Sequence, residues 1–505
     1  MLSEQQYNDF ANQGYNRIPM YRCVSADLDT PLSAWLKLAN GKNTFLLESV
    51  VGGSRWGRYS IIGLSADTRY IARDNQITKY VLGEIEESYS CDNVLDELRE
   101  IKSEYKVPKI DELPAFNGGL VGYLGYEIIE HIEDKLKGKT PKDELNIPDV
   151  NLMVAEEIAV FDNLAGKVWI IIHANPEDDM AFAKGQKRLD ELTHRLRSGS
   201  TGYSEILNQN VLDESAVNMS FTQEQFETAV DKCKDLIVAG DIMQVVLSQR
   251  MSMPFTARPM DVYRALRASN PSPYMYFMDF DDYQVVGSSP EVLVRKHANK
   301  VTLRPIAGTR PRGKNEAEDL VFENELLNDP KELAEHLMLI DLGRNDIGRV
   351  AEIGSVELVD KMMIERYSHV MHIVSEVQGK LQKDKDNIDV IKAVFPAGTL
   401  SGAAKVRAMQ VIAELEPVKR NVYAGAVGYW GWHDDMDWAI AIRTAVIKDE
   451  KLHVQAGAGI VADSDPTKEW EESINKGKAV FNAVSMAQDP NFLQGQAYIN
   501  KDRKD

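Results

Sequence analysis

Short apolar runs separated by turn residues mark the early part of the chain: Thr44 to Val51, Tyr59 to Leu64, Gly118 to Tyr126 and Val168 to His173. Runs of this length, rich in β-branched and aromatic residues, predict strands of an antiparallel sheet. From about Arg197 the pattern gives way to Ser, Asn and Gly, which predicts an exposed connection over 201–218. The period then changes. Phe226, Val230, Cys233 and Ile237 recur at helical spacing, Thr222 and Gln225 make a capping box, and Gly240 closes the run. The expected fold class is α+β, with an N-terminal lobe over 1–200 and a C-terminal region over 219–490.

One stretch echoes another. Gly118–Tyr126 reads G-G-L-V-G-Y-L-G-Y and Ala424–Trp432 reads A-G-A-V-G-Y-W-G-W. Chance likeness of two glycine-rich strands and a common plan for two halves both account for it.

At 505 residues, 44% hydrophobic and 27% charged, the chain has enough apolar material for a sizeable core and the composition of a globular protein. The net charge of -20 argues against general binding to nucleic acid or anionic lipid. It also means that an anionic substrate would need a locally positive site. Met1 to Gln6 lack a signal pattern, and the most apolar runs, such as Val168 to Ile172, are strand-sized and too short to span a membrane. Cys23, Cys91 and Cys233 have neither metal nor redox spacing, so they read as thiols in a reducing cytoplasm.

Two glutamate pairs stand at i, i+3: Glu332 with Glu335, and Glu469 with Glu472. On helices, each pair would aim its carboxylates one way, and two such faces together would suit Mg²⁺. Ordinary roles are also open. Asp329, Pro330 and Glu332 fit a helix start, and Glu472 with Lys476 fits a solvated ion pair beside a stripe of Trp470, Ile474 and Phe481. Val301 to Gly313 holds Arg304, Arg310 and Arg312 around a glycine turn, either an anion site or a basic surface loop. Arg443 lies in an apolar run and needs a carboxylate partner, from a substrate or from the protein itself. His372 taken alone reads as a core histidine before it reads as a catalyst, and Glu291, after a proline, could be no more than a surface acid.

Taken together, Pro305–Thr309, Glu335–Asp346 (E-H-L-M-L-I-D-L-G-R-N-D), Gly398–Gly402 (G-T-L-S-G), Gln455–Ile460 and Glu469–Lys476 resemble the chorismate-utilising enzymes, in the same order along the chain. The likeness is to the anthranilate synthase component I branch and runs from about Phe45 to Phe481. It implies a two-lobed antiparallel β-sandwich covered by helices. It further implies Mg²⁺ held by Glu335 and Glu472, with Glu332 and Glu469 beside them. Chorismate would be surrounded by Gly308, Thr309, Tyr423, Arg443, Gly457, Ala458, Gly459 and Lys476. Glu291 would protonate the leaving hydroxyl, and His372 would assist loss of pyruvate.

Two positions divide the family. Members that add water to the ring carry Lys where this chain has Gln244, which cannot take a proton from water. Members that make a para-amino product carry Lys where this chain has Ala307, which offers no nucleophile. Ammonia is then the expected nucleophile. No cysteine has a glutaminase setting, so the resemblance implies a separate glutamine amidotransferase subunit, assembled as a heterotetramer. It also implies a feedback site for tryptophan at Ser49, Pro273, Tyr274 and Met275. One departure is visible: Ala404 stands where the family usually has proline, freeing the local backbone.

Overall fold

The computed structural model describes residues 2–39, 41–50, 57–202, 216–367 and 370–488. Val51, most of the connection expected over 201–218 and the end of the 219–490 region lie outside them. Among the described residues the strands form two antiparallel sheets of twelve strands each.

The sheets stack face to face. Phe45, Tyr276 and Val285 of one meet Val121, Tyr123 and Val427 of the other in one buried cluster. A chain of hydrogen bonds crosses this layer: Asn151 Nδ2 donates to Tyr283 Oη at 2.7 Å, the Tyr283 and Tyr123 hydroxyls lie 2.7 Å apart, and Tyr123 donates to Pro148 O at 2.9 Å. The Tyr123 and Tyr283 hydroxyls therefore both have partners, and neither incurs the cost of an unmet polar group. On one outer face, helices Pro31–Leu38, Ala181–Ser198, Pro259–Ser269 and Pro466–Gln488 bury their apolar stripes. Helices Val94–Ser103, Asn387–Val394 and Lys405–Leu415 do the same on the other.

Early and late parts of the chain are woven into the same sheets. Strand Thr44–Glu48 pairs with Tyr274–Asp279, and Gly119–Leu124 pairs with Ala426–Gly431. The two echoing segments are thus neighbouring strands, with Gly122 opposite Gly428. A Cβ on Gly122 would stand 1.9 Å from Asn151 O, and one on Gly428 2.0 Å from Asp437 O. No side chain fits at either position, which explains why glycine recurs there.

Several elements match the sequence pattern closely. Helix Gln223–Val238 starts on the Thr222 and Gln225 capping box, and strands Tyr59–Gly63 and Lys167–Ala174 lie on the expected runs. Gly119–Leu124 is shorter than its run because Tyr126 N bonds to Asn421 O at 2.8 Å and opens a 3-10 turn. Helix Pro466–Gln488 buries Ser473, Gly477, Val480 and Val484, while Trp470, Ile474 and Phe481 lie half-buried beside that line. Gly477 sets this line, since a Cβ there would stand 2.4 Å from Met251 Cε.

Candidate active site

Two helices bring the glutamate pairs into one electrostatic neighbourhood. Helix Pro330–Gly348 begins on Asp329, whose carboxylate accepts from Lys331 N and Glu332 N at 3.0 and 3.3 Å. Glu332 therefore has no capping duty, and its carboxylate lies 3.5 Å from Arg310 Nη1. Helix Pro466–Gln488 carries the second pair, with Lys476 Nζ 2.7 Å from Glu472 Oε1 and donating to Gly457 O at 3.1 Å.

Burial, followed by the charges of Glu332 and Glu472, raises the Glu335 carboxyl above its ordinary value. Burial also raises Glu469, opposed by a hydrogen bond from Ser464 and reinforced by Glu472. The acids are thus coupled in series across two helices, and Lys331 and Lys476 offset only part of their repulsion. Among the described residues, no three acids, histidines or cysteines stand close enough to ligate one ion directly. Mutual repulsion among hard oxygen groups nevertheless fits a divalent cation drawn between the helices.

The rest of the site forms where chain segments cross from one sheet to the other. Glu291 lies between Tyr283–Ser289 and Val292–His297, and Arg443 between Met436–Ile440 and Thr444–Lys448. The crossings are tied together, with Ser288 N donating to Arg443 O at 3.2 Å and Ile440 N to Glu291 O at 3.0 Å. Burial pushes the Glu291 carboxyl up to about 7, while the Thr399 hydroxyl, donating to Oε1 at 2.9 Å, and the charges of Arg443 and Lys476 pull it back.

Arg443 has a left-handed backbone, φ 49°, uncommon for a side chain of its size. Burial lowers its pKa, opposed by Tyr367 and Glu291. Among the described residues its guanidinium makes no ion pair, and the acid it senses, Glu291, is itself half protonated near neutral pH. The described residues thus supply no full carboxylate partner.

Gly308 sits in a bulge of strand Ile306–Pro311, φ 68°. The bulge turns its carbonyl toward His372 Nδ1 at 2.9 Å, with Thr309 Oγ1 3.1 Å from the same nitrogen. Burial holds His372 below its ordinary value, so the ring is neutral at physiological pH. With Nδ1–H donating to Gly308 O, Nε2 keeps its lone pair. Ala458 points into the core, which leaves Gly457 and Gly459 on the opposite face of strand Lys451–Ile460. A Cβ on Gly459 would stand 2.8 Å from Gln244 Nε2.

Tyr423 is buried with its ring 5.5 Å from Arg420 Cζ. Arg304, Arg310 and Arg312 do not form an anion site: each is paired within the protein, to Glu365, to Asp329 and Glu325, and to Asp319. Ala404 forms the N-terminal boundary of helix Lys405–Leu415, where Lys405 Nζ bonds to Asp346 at 2.8 Å. Sequence reasoning missed two residues, Thr399 and Arg420. Thr399 lies inside the G-T-L-S-G motif, but nothing in the spacing showed that its hydroxyl meets Glu291.

The two segments singled out for tryptophan are neighbours. Met275 pairs with Glu48, and Val50 N donates to Ser272 O at 3.3 Å, which puts Ser49 opposite Tyr274. Tyr274 Oη donates to Asp437 at 2.8 Å, whereas Met275 is buried on the helix side with Pro273 buried nearby.

The chorismate binding enzyme family matches residues 45–482. The chain belongs to that family. Within the chorismate binding enzymes it is 55% identical over 488 residues to anthranilate synthase component 1 of Pseudomonas aeruginosa, covering 96% of this chain and 99% of that protein. It is 52% identical to anthranilate synthase component 1 of Neisseria meningitidis serogroup B, covering 97% and 99%. The crystal structure of anthranilate synthase component I from Streptococcus pneumoniae aligns with a TM-score of 0.75 at 39% identity, over 90% of this chain and 98% of that one. At 18% identity and a TM-score of 0.69, the menaquinone-specific isochorismate synthase MenF of Escherichia coli shares the fold. Among the described residues of this chorismate binding enzyme, no helix is long and apolar enough to cross a membrane.

Proposed function

We propose that the chain converts chorismate and ammonia to anthranilate and pyruvate, the first committed step of tryptophan biosynthesis, in the cytoplasm. The observation that carries this reading is Glu291: a buried carboxyl held at about 7, beside Arg443 and Lys476 and bonded to Thr399. A carboxyl that is half protonated at working pH is suited to hand a proton to a poor leaving group. Arg443, without a full carboxylate of its own, receives one carboxylate of the substrate as a bidentate pair.

Glu335 and Glu472, flanked by Glu332 and Glu469, would hold Mg²⁺, which when bound supplies a Lewis acid for the ring carboxylate. In the first step a bond forms between the nitrogen of ammonia and ring carbon 2, the bond from carbon 4 to oxygen breaks, and Glu291 supplies the proton with which water departs. In the second step neutral His372, through Nε2, takes the proton from carbon 2, the bond from carbon 3 to the ether oxygen breaks as the ring becomes aromatic, and the departing enolpyruvate takes up a proton at its methylene carbon to become pyruvate. Gln244 beside Gly459 and buried Ala307 offer neither a base for water nor a nucleophile of their own.

Ammonia would be delivered by a glutamine amidotransferase component in a heterotetramer. Tryptophan would inhibit from the site at Ser49, Pro273, Tyr274 and Met275. The test is to incubate the chain with chorismate, Mg²⁺ and ammonium and follow anthranilate fluorescence, with and without tryptophan. Anthranilate that appears with ammonium and falls when tryptophan is added supports the reading. No anthranilate, or an isochorismate product, overturns it.

A further inference from the structure

Far from Glu291 and His372, a cavity of about 370 Å³ opens at the other end of the same two strands. Strand Val292–His297 brings Lys296 to it and strand Val370–Lys380 brings Lys380; the following loop adds Lys383 and Lys385. Lys296 is five residues along the chain from Glu291, roughly 17 Å at strand spacing, so this is a separate site.

Its charge balance is unlike that of the chain as a whole, which carries -20. The three acids that line it are already paired: Glu352 with Lys380 at 2.9 Å, Asp386 with Arg99 at 3.2 Å, and Asp434 with Lys102 at 2.5 Å. Among the described residues, Lys296, Lys383 and Lys385 pair with no carboxylate. Lys296 is only 6% exposed and donates to a backbone carbonyl, Asp434 O, at 2.7 Å. Burial lowers the Lys296 pKa, and the charges of Asp434, Asp435 and Asp386 offset that cost only in part, so a bound anion would relieve it. Asn387 adds a second feature. It is 2% exposed and lines the cavity; its Nδ2 donates to Asp434 O at 3.0 Å, and its Oδ1 is a buried acceptor without a hydrogen-bond partner. A ligand hydroxyl would satisfy it.

We propose that this cavity binds a small multivalent oxyanion bearing a hydroxyl, of the phosphate-monoester or hydroxy-polycarboxylate class. Lys296, Lys383 and Lys385 receive the anionic oxygens, and Asn387 accepts from the hydroxyl. The cavity is large enough for such a ligand, whose donors and acceptors match those lining it.

The test is calorimetric titration of the full chain with glycerol 3-phosphate and, separately, with citrate, against sodium chloride at matched ionic strength. The expected result is saturable binding at one site per chain for at least one of the two, and the arm that binds identifies the class. Lys383→Gln with Lys385→Gln, at solvent-accessible positions outside the catalytic set, is expected to weaken that binding about tenfold or more while anthranilate formation stays unchanged. No saturable binding up to about 10 mM, or equal affinity in the double variant, overturns the proposal. Inorganic phosphate binding as tightly as glycerol 3-phosphate overturns the part given to Asn387.

Discussion

The Thr399 hydroxyl donates to Glu291 Oε1 at 2.9 Å, a bond that favours the carboxylate on a group that burial pushes toward the acid. The residue that supplies the proton is thus held between two opposing influences, at about 7. Removing the carboxyl with Glu291→Gln is expected to lower kcat by about 10² to 10⁴ with little change in melting temperature. Removing only the bond with Thr399→Val raises the Glu291 pKa further. The loss of activity on the alkaline side then moves up by roughly half to one pH unit, read from a pH profile of kcat. A downward move would contradict the role given to Thr399.

Raised carboxyls set the pH dependence of stability. Glu291, Glu335 and Glu469 all hold protons more tightly in the fold than in the unfolded chain. For Glu291 the native state binds the extra proton between 4.5 and about 7, so its contribution to stability is present at the low end and lost as pH rises through that window. Cation binding runs the other way, because it needs the carboxylates. Thermal unfolding with Mg²⁺ is therefore expected to show a larger gain at about pH 8 than at about pH 6. An equal gain at both would argue against Glu335 and Glu469 as partners of the ion.

Gly308 tests the bulge. An added Cβ would meet Leu326 Cδ1 at 3.0 Å and Glu332 Oε2 at 3.3 Å, at a φ of 68°. Gly308→Ala is expected to cost about 1 to 2 kcal/mol of stability from backbone strain. It should also weaken Mg²⁺ more than that strain alone explains, because it displaces Glu332. Denaturant unfolding and a Mg²⁺ titration of activity separate the two effects.

Arg420 anchors the floor of the site. Its guanidinium donates to Glu416 at 2.6 and 2.9 Å, to Leu400 O at 2.7 Å and to Val246 O at 2.8 Å, with both side chains 1% exposed. Glu416 in turn accepts from Ser248 N and Oγ, both at 2.8 Å. The pair therefore fixes the residue after Thr399 and the strand beside Gly457–Gly459. Arg420→Met leaves Glu416 buried and unpaired, at an expected cost of about 3 to 5 kcal/mol by urea unfolding. The double variant with Glu416→Met is expected to lose less than the sum of the two single variants.

Local chemistry was legible where it is written in adjacent residues. The Thr222 cap, the Asp329 helix start and the glutamate spacing could all be read because i, i+3 and i, i+4 relations survive folding. That Arg443 needs a partner follows from its own apolar run, but the choice between an internal acid and a substrate carboxylate was not written there. The arginines of Val301–Gly313 were ambiguous because their acids lie elsewhere: Glu365 and Asp319 are found only by folding. The buried line of helix Pro466–Gln488 was misplaced toward Trp470 because size suggests burial, whereas Gly477, with no side chain, is what lets Met251 approach. Arg420 carried only its i, i+4 spacing to Glu416, since its other guanidinium contacts, Leu400 O and Val246 O, come from distant segments.

The pairing of Gly119–Leu124 with Ala426–Gly431, and of Thr44–Glu48 with Tyr274–Asp279, makes the front and back of the polypeptide mutual templates. Neither has a finished hydrophobic interior alone. A gene split between the two would yield polypeptides that stay insoluble apart and regain activity only when produced together. Ribosomal synthesis faces a related condition, for Thr44–Glu48 and Gly119–Leu124 find one neighbour each in Tyr59–Gly63 and Val150–Ala155 but gain the other only once the later half has emerged.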